Sequence, residues 1–176
     1  MSTFRNPISE FNYSDPFITY DPVTGYYYSL ATGNTLLIHR SRNIADIVNK
    51  GESKVIYTPN GPKDGIWGDI WAPEMHKGID GKWYIYTSGR IQEAPGTKRL
   101  FIMMALSDDP FGEWEFKSIP TPDIFSIDPT VYTSHEGVQY LCYSRVDPED
   151  GQVLEICKME SPSSCILSRR FSKRLL

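Results

Sequence analysis

The sequence predicts an all-β fold assembled from β-propeller blades, each a set of four antiparallel strands. Three observations predict it. Short aromatic-rich runs with strand alternation are separated by Gly, Pro, Asn and Asp turn signals. A proline opens an extended stretch at Pro16, Pro73 and Pro129, 57 and then 56 residues apart. The same order of strand, turn and strand follows each proline. Four-strand units repeating near 50 residues are the signature of a propeller. A β-sandwich also has many short strands, but it does not predict one motif at a fixed period.

Residues 1–10 read as an extended lead-in. In the first unit, Asp15 to Tyr20 is extended, Asp21-Pro22-Val23-Thr24-Gly25 is a turn, and Tyr26 to Leu30 is a second, aromatic strand. Gly33-Asn34 turns the chain into a third strand, Leu36 to Arg40. A short helical turn over Ile44 to Lys50 precedes a fourth strand, Lys54 to Tyr57. In the second unit, Ala72 to His76 opens, Lys82 to Thr87 alternates as a strand should, and a long connection runs from Ser88 to Lys98. Leu100 to Leu106 and Trp114 to Phe116 complete it. In the third, Asp128 to Tyr132, Val138 to Tyr143 and Val153 to Lys158 are strands. Ser161-Pro162 then stops the pattern, and no fourth strand is expected. The domain is therefore drawn at 1–162. Residues 163–176 form a basic tail with Arg169, Arg170, Lys173 and Arg174 and no acid. It reads as a non-native or disordered segment, with an amphipathic basic helix as the alternative.

A chain of 176 residues is long enough for one domain with a real core, and 40% hydrophobic residues exclude a disordered chain. A net charge of -4 argues against nucleic acid or an anionic membrane as the main partner. No run is long enough to span a bilayer, and Met1 to Glu10 carries no secretory signal. Cys142, Cys157 and Cys165 lack metal-type spacing and read as reduced, buried thiols. No metal or cofactor is expected, since neither a His/Cys cluster nor a Gly-rich phosphate loop is present.

Asp15 and Asp128 are the strongest candidates for chemistry. First strands of propeller blades line the central axis, so equivalent positions in different blades converge. Two carboxylates brought together perturb each other's pKa, the usual preparation for acid–base work. Dipeptide alone does not separate them from Asp21, Asp109 and Asp147, which also precede prolines and read as turn caps; their repeat position does. Trp67, Asp69, Trp71 and Glu74 form an aromatic and acidic cluster where the second unit enters the centre. Aromatic faces stack on sugar C–H faces, and carboxylates accept hydroxyl hydrogen bonds. For Trp71 this reading is preferred; for Trp67, cementing of blade to blade weighs equally. His76 is either inward-pointing or a hydrogen-bonded structural histidine. Arg145 is a candidate for a substrate or carboxylate contact, with a surface position as the alternative.

These residues resemble glycoside hydrolase family 43, in particular its α-L-arabinofuranosidase, arabinanase and β-xylosidase-like members. The resemblance rests on Ser14-Asp15-Pro16-Phe17-Ile18, Trp71-Ala72-Pro73-Glu74, Ile127-Asp128-Pro129-Thr130-Val131 and the blade-closing turn Ser107-Asp108-Asp109-Pro110-Phe111-Gly112-Glu113-Trp114. It implies a five-bladed propeller, of which about three blades are present, and inverting hydrolysis of arabinosyl or xylosyl linkages. The implied substrates are arabinan, arabinoxylan or xylan. It also implies a general base at Asp15 and, at Asp128, a residue that tunes and orients the acid. Trp67, Trp71, Glu74, His76 and Arg145 are the substrate-binding candidates. The implied general acid is a Glu beyond the third blade, about 6.5–9.5 Å from the base in an inverting site, and this sequence has no such residue in that place. Glu93-Ala94-Pro95 looks similar but falls in a loop of the second unit. The expectation is a truncated glycosidase with impaired turnover, or a non-catalytic carbohydrate-binding fragment, with two blade faces left uncovered. Relatives of this kind are often secreted, whereas the missing signal makes the cytoplasm the default.

Overall fold

The structure, a computed structural model, describes residues 9–92, 97–121 and 124–166. They form three four-stranded antiparallel sheets, each a meander in chain order. The first contains β1 (Phe17–Asp21), β2 (Tyr26–Leu30), β3 (Leu36–Ser41) and β4 (Glu52–Tyr57). The second contains β5 (Trp71–Lys77), β6 (Trp83–Arg90), β7 (Lys98–Ala105) and β8 (Trp114–Ser118). The third contains β9 (Ser126–Thr133), β10 (Gln139–Asp147), β11 (Gly151–Ser161) and β12 (Ser164–Ile166). A 3₁₀ turn at Ile44–Asp46 and a one-turn helix α1 (Gly61–Asp64) fill the connections. β1 touches β5, and β5 touches β9, so the first strands of consecutive blades converge as the repeat required.

The middle sheet explains the packing. Trp83 to Gly89 are all buried, because β6 is covered on both faces. Trp83, Ile85, Phe101 and Met103 face the first sheet and join Tyr28, Leu30, Leu36 and Ile38 in one core. Tyr84, Tyr86, Leu100, Ile102 and Met104 face the third sheet and join Leu141, Tyr143, Cys157 and Met159 in another. The period-two alternation of one strand thus feeds two cores. The outer faces of sheets one and three carry Tyr20, Leu37 and Val55, and Tyr132, Leu154, Ile156 and Ile166, all exposed. The two uncovered blade faces expected from the sequence are present. Three separate sheets packed in sequence also dispose of the sandwich alternative. All three cysteines lie in the strands of the third sheet and carry free thiols.

Two readings need correction. The third blade does have a fourth strand: β12 pairs with β11, Met159 opposite Cys165 and Lys158 opposite Ile166. Pro162 does not stop the sheet; it occupies the hairpin turn between Ser161 and Ser164, where no ladder N–H is needed. That turn is docked on the second blade. The Tyr86 hydroxyl donates to the Pro162 carbonyl at 2.8 Å, and the Ser118 hydroxyl donates to the Ser163 carbonyl at 2.7 Å. The rest of the tail, 167–176, lies outside the described residues.

The second correction concerns the residues before the three prolines. They are not extended. Asp15 (φ 49°), Ala72 (φ 42°) and Asp128 (φ 54°) all lie in the left-handed region, although pre-proline residues favour β or polyproline conformations. The cause is the proline. It has no N–H for the ladder, so a first strand accepts it only at its start or in a bulge. Pro16 precedes β1. The β5–β6 register breaks between Trp71 and Glu74, around Ala72-Pro73. The β9–β10 register breaks between Cys142 and Ser144, opposite Asp128-Pro129.

Candidate active site

The repeated kink re-aims one side chain per blade. Strained non-glycine residues of this kind cluster at functional sites, and here three occupy equivalent places in three converging strands. The other Asp-Pro pairs behave differently. Asp21 accepts from the Val23 N–H at 3.2 Å, Asp109 from the Phe111 N–H at 2.9 Å, and Asp147 from the Glu149 N–H at 2.9 Å. Each caps its own turn with its own carboxylate. Asp15 and Asp128 make no such local bond among the described residues.

Asp15 and Asp128 are brought together electrostatically. Asp128 keeps contact with solvent. Even so, desolvation by its surroundings holds its carboxyl above the ordinary aspartate range, and the negative charge of Asp15 adds to that rise. Protonation of Asp128 is favoured in the presence of an ionised Asp15. Asp15 itself accepts a hydrogen bond from the Thr32 hydroxyl at 2.6 Å. Thr32 lies in the β2–β3 turn and also accepts from the Ala72 N–H of the second blade at 3.0 Å. A two-way backbone bridge between Gly33 and Ile70, each N–H to the other's carbonyl at 2.9 Å, holds that turn against the second blade.

Trp71 sits beside Ala72 with 40% of its surface exposed. The Lys98 ammonium lies 3.6 Å from the ring centroid on one face. Lys98 also donates to the Asp69 carbonyl at 2.7 Å. Burial pushes its ammonium below the ordinary lysine range. Asp69, itself at φ 50°, accepts from the Arg90 Nε at 3.1 Å. The indole is therefore held from one side by the Lys98 ammonium while part of its surface stays exposed.

Glu74 and His76 form a pair, with His76 Nε2 2.8 Å from Glu74 Oε2. The His76 ring packs against Phe17 at 5.2 Å and Tyr86 at 6.0 Å between centroids. His76 is thus half-buried and hydrogen-bonded between the first two blades. Trp67 packs within its own connection between the first two blades. Its indole sits on the backbone of Gly61, where a Cβ would collide with it. Its carbonyl accepts from Arg90 Nη2 at 2.8 Å. Arg145 is not brought to the cluster. It is buried and bonded to Asp147 at 2.6 Å and to Glu155. Its hydrogen bond is the main reason the Asp147 carboxyl sits at about 2. Glu93-Ala94-Pro95 lies outside the described residues. Thr32 and Lys98 carried no sequence signal: one stands in a turn, the other at a strand start.

Comparison with known proteins identifies the family and the fold. The sequence profile described as Glycosyl hydrolases family 43 matches residues 4–173. An extracellular exo-α-(1→5)-L-arabinofuranosidase of Streptomyces avermitilis is 33% identical over 169 residues, covering 91% of this chain and 34% of that protein. An α-L-arabinofuranosidase B of Pyricularia oryzae is 34% identical over 149 residues, covering 78% of this chain and 30% of that protein. Among solved structures, an α-L-arabinofuranosidase from Lactobacillus brevis superposes with a TM-score of 0.83 at 24% identity over 94% of this chain and 54% of its own. An endo-arabinase from Bacteroides thetaiotaomicron superposes at 0.75 with 20% identity, covering 95% and 58%. The chain spans about a third of the length of these curated relatives and a little over half of these structures.

Proposed function

This chain belongs to family 43 of the glycosyl hydrolases, and on that premise we propose that it carries the base side of a site that cleaves arabinosyl linkages by inversion. Asp15 takes a proton from a water molecule as the water oxygen attacks the anomeric carbon, and the bond from that carbon to the leaving group breaks on the opposite face, the leaving oxygen taking its proton from the general acid. Asp128, kept protonated more readily than an ordinary aspartate, orients the opposite side of the reaction. The open face of Trp71 receives the sugar ring. The natural substrates are arabinose-bearing cell-wall polysaccharides such as arabinan and arabinoxylan, with xylosyl linkages of xylan as a further family possibility.

The observation that carries this reading is the equivalence of Asp15 and Asp128: same repeat position, same left-handed backbone, and an Asp15 charge that raises the Asp128 carboxyl. The proton donor is not assigned among the described residues. Glu74 is engaged by His76, and the Glu implied by the family pattern is not assigned to any residue of this chain. General-acid help contributes roughly 10²–10⁴-fold to such reactions. Loss of it should matter little when the leaving group needs no proton. The test is therefore α-L-arabinofuranosyl fluoride. Turnover by the wild type that disappears in Asp15→Asn, with poor turnover of unactivated arabinosides, is expected. Fluoride hydrolysis that survives Asp15→Asn contradicts the assignment. If the wild type is inert but arabino-oligosaccharides still bind and Trp71→Ala abolishes that binding, the chain acts as a carbohydrate-binding fragment.

A further inference from the structure

We propose that Thr32 is the positioning residue of Asp15, selecting which carboxylate oxygen acts as the base and doing so only when the first two blades are docked. The inference rests on Asp15 being the base. The polarity of the network is forced. The Ala72 N–H can only donate, so Thr32 Oγ1 must accept from it at 3.0 Å. A hydroxyl has one proton, and the geometry spends it on Asp15 Oδ2, 2.6 Å away. Asp15 therefore meets a donor at Oδ2, which suits the ionised carboxylate. Oδ1 has no partner among the described residues and is the oxygen left to take a proton from water. The backbone supports the same selection. The Thr32 N–H donates to the Ser14 carbonyl at 3.0 Å, tying the turn to the residue before Asp15.

The clasp also crosses a blade boundary. Asp15 and Thr32 belong to the first blade and Ala72 to the second, and the Gly33–Ile70 bridge lies one residue after Thr32 and two before Ala72. Separation of the two blades removes the donor that orients the Thr32 hydroxyl, and the Asp15 carboxylate becomes free to rotate. Misplacement of a reacting group by about 1 Å costs on the order of 10²-fold.

The experiment uses the full chain with Thr32→Val, which keeps the shape and removes the hydroxyl, and Thr32→Ser, which returns it. Two readouts are taken: kcat and KM on α-L-arabinofuranosyl fluoride, and hydrogen exchange of the Ala72 amide. T32V should lower kcat by about tenfold or more with KM within about twofold. T32S should recover most of that loss. The Ala72 amide should lose protection in T32V and keep it in T32S. A wild-type kcat in T32V, or an equal loss in T32S, overturns the proposal. If the wild type is inert on the fluoride, the base reading fails instead. The clasp is then judged by the Ala72 amide alone, and unchanged exchange in T32V overturns it. Should T32V not fold, Thr32→Ala decides by the same readouts, since it also removes the hydroxyl that accepts from the Ala72 N–H and donates to Asp15.

Discussion

Replacing Ala72 with glycine tests the geometry that aims the site. In an ordinary strand, Ala→Gly costs about 0.5–1 kcal/mol, because glycine gives up more backbone freedom on folding. Ala72 is at φ 42°, where an L-side chain is disfavoured by roughly 1–2 kcal/mol. Glycine removes that penalty. It also adds about 0.4–1 kcal/mol of unfolded-state entropy. The difference is a stabilisation between zero and about 1.5 kcal/mol, opposite in sign to the strand case. Urea unfolding resolves this. With a slope of about 2 kcal/mol per molar, the midpoint should stay put or rise by up to roughly 0.7 M with the slope unchanged. A midpoint lowered by about 0.4 M or more would refute the left-handed kink at the repeat position. Ala72→Val should destabilise clearly, since β-branched residues tolerate positive φ worst.

Three further outcomes are expected. Tyr86→Phe removes the hydroxyl that reaches Pro162 from a fully buried site; it should cost about 1–2 kcal/mol in urea unfolding and loosen the β11–β12 hairpin to hydrogen exchange. Trp71→Ala should abolish calorimetric binding of arabino-oligosaccharides while the unfolding transition is retained, because the exposed indole contributes little to either core. Asp128 should make stability depend on pH. Its folded pKa is raised, so its contribution is full below the ordinary aspartate value and is lost as pH rises through the raised one. Asp128→Asn should therefore stabilise the chain at neutral pH, and its advantage should vanish in acid.

The strand order and the convergence of the first strands were legible because they depend on local signals. Aromatic alternation in Tyr26–Leu30 and Trp83–Tyr86, and prolines at a fixed period, survive any tertiary context. What escaped depends on contacts between distant residues. The left-handed backbone of Asp15, Ala72 and Asp128 runs against local pre-proline preference and follows from fitting a proline into an inner strand. Thr32 matters only because the Gly33–Ile70 bridge lays its turn against the second blade. The fate of Arg145 depended on strand parity. It shares a face with Asp147 and lies diagonal to Glu155, whose direct partner is Tyr143, and together those carboxylates neutralise it. Pro162 looked like a stop because a hairpin turn and a chain break share the same residue chemistry.

The central claim is that Asp15 and Asp128, from different blades, share one site. The direct measurement is the titration of the Asp128 carboxyl carbon by NMR in the wild type and in Asp15→Asn. The expected result is a midpoint above the ordinary aspartate range that drops when the Asp15 charge is removed. It should not fall all the way, because desolvation is the larger cause. Identical Asp128 midpoints in the two proteins would contradict the convergence of the two carboxylates.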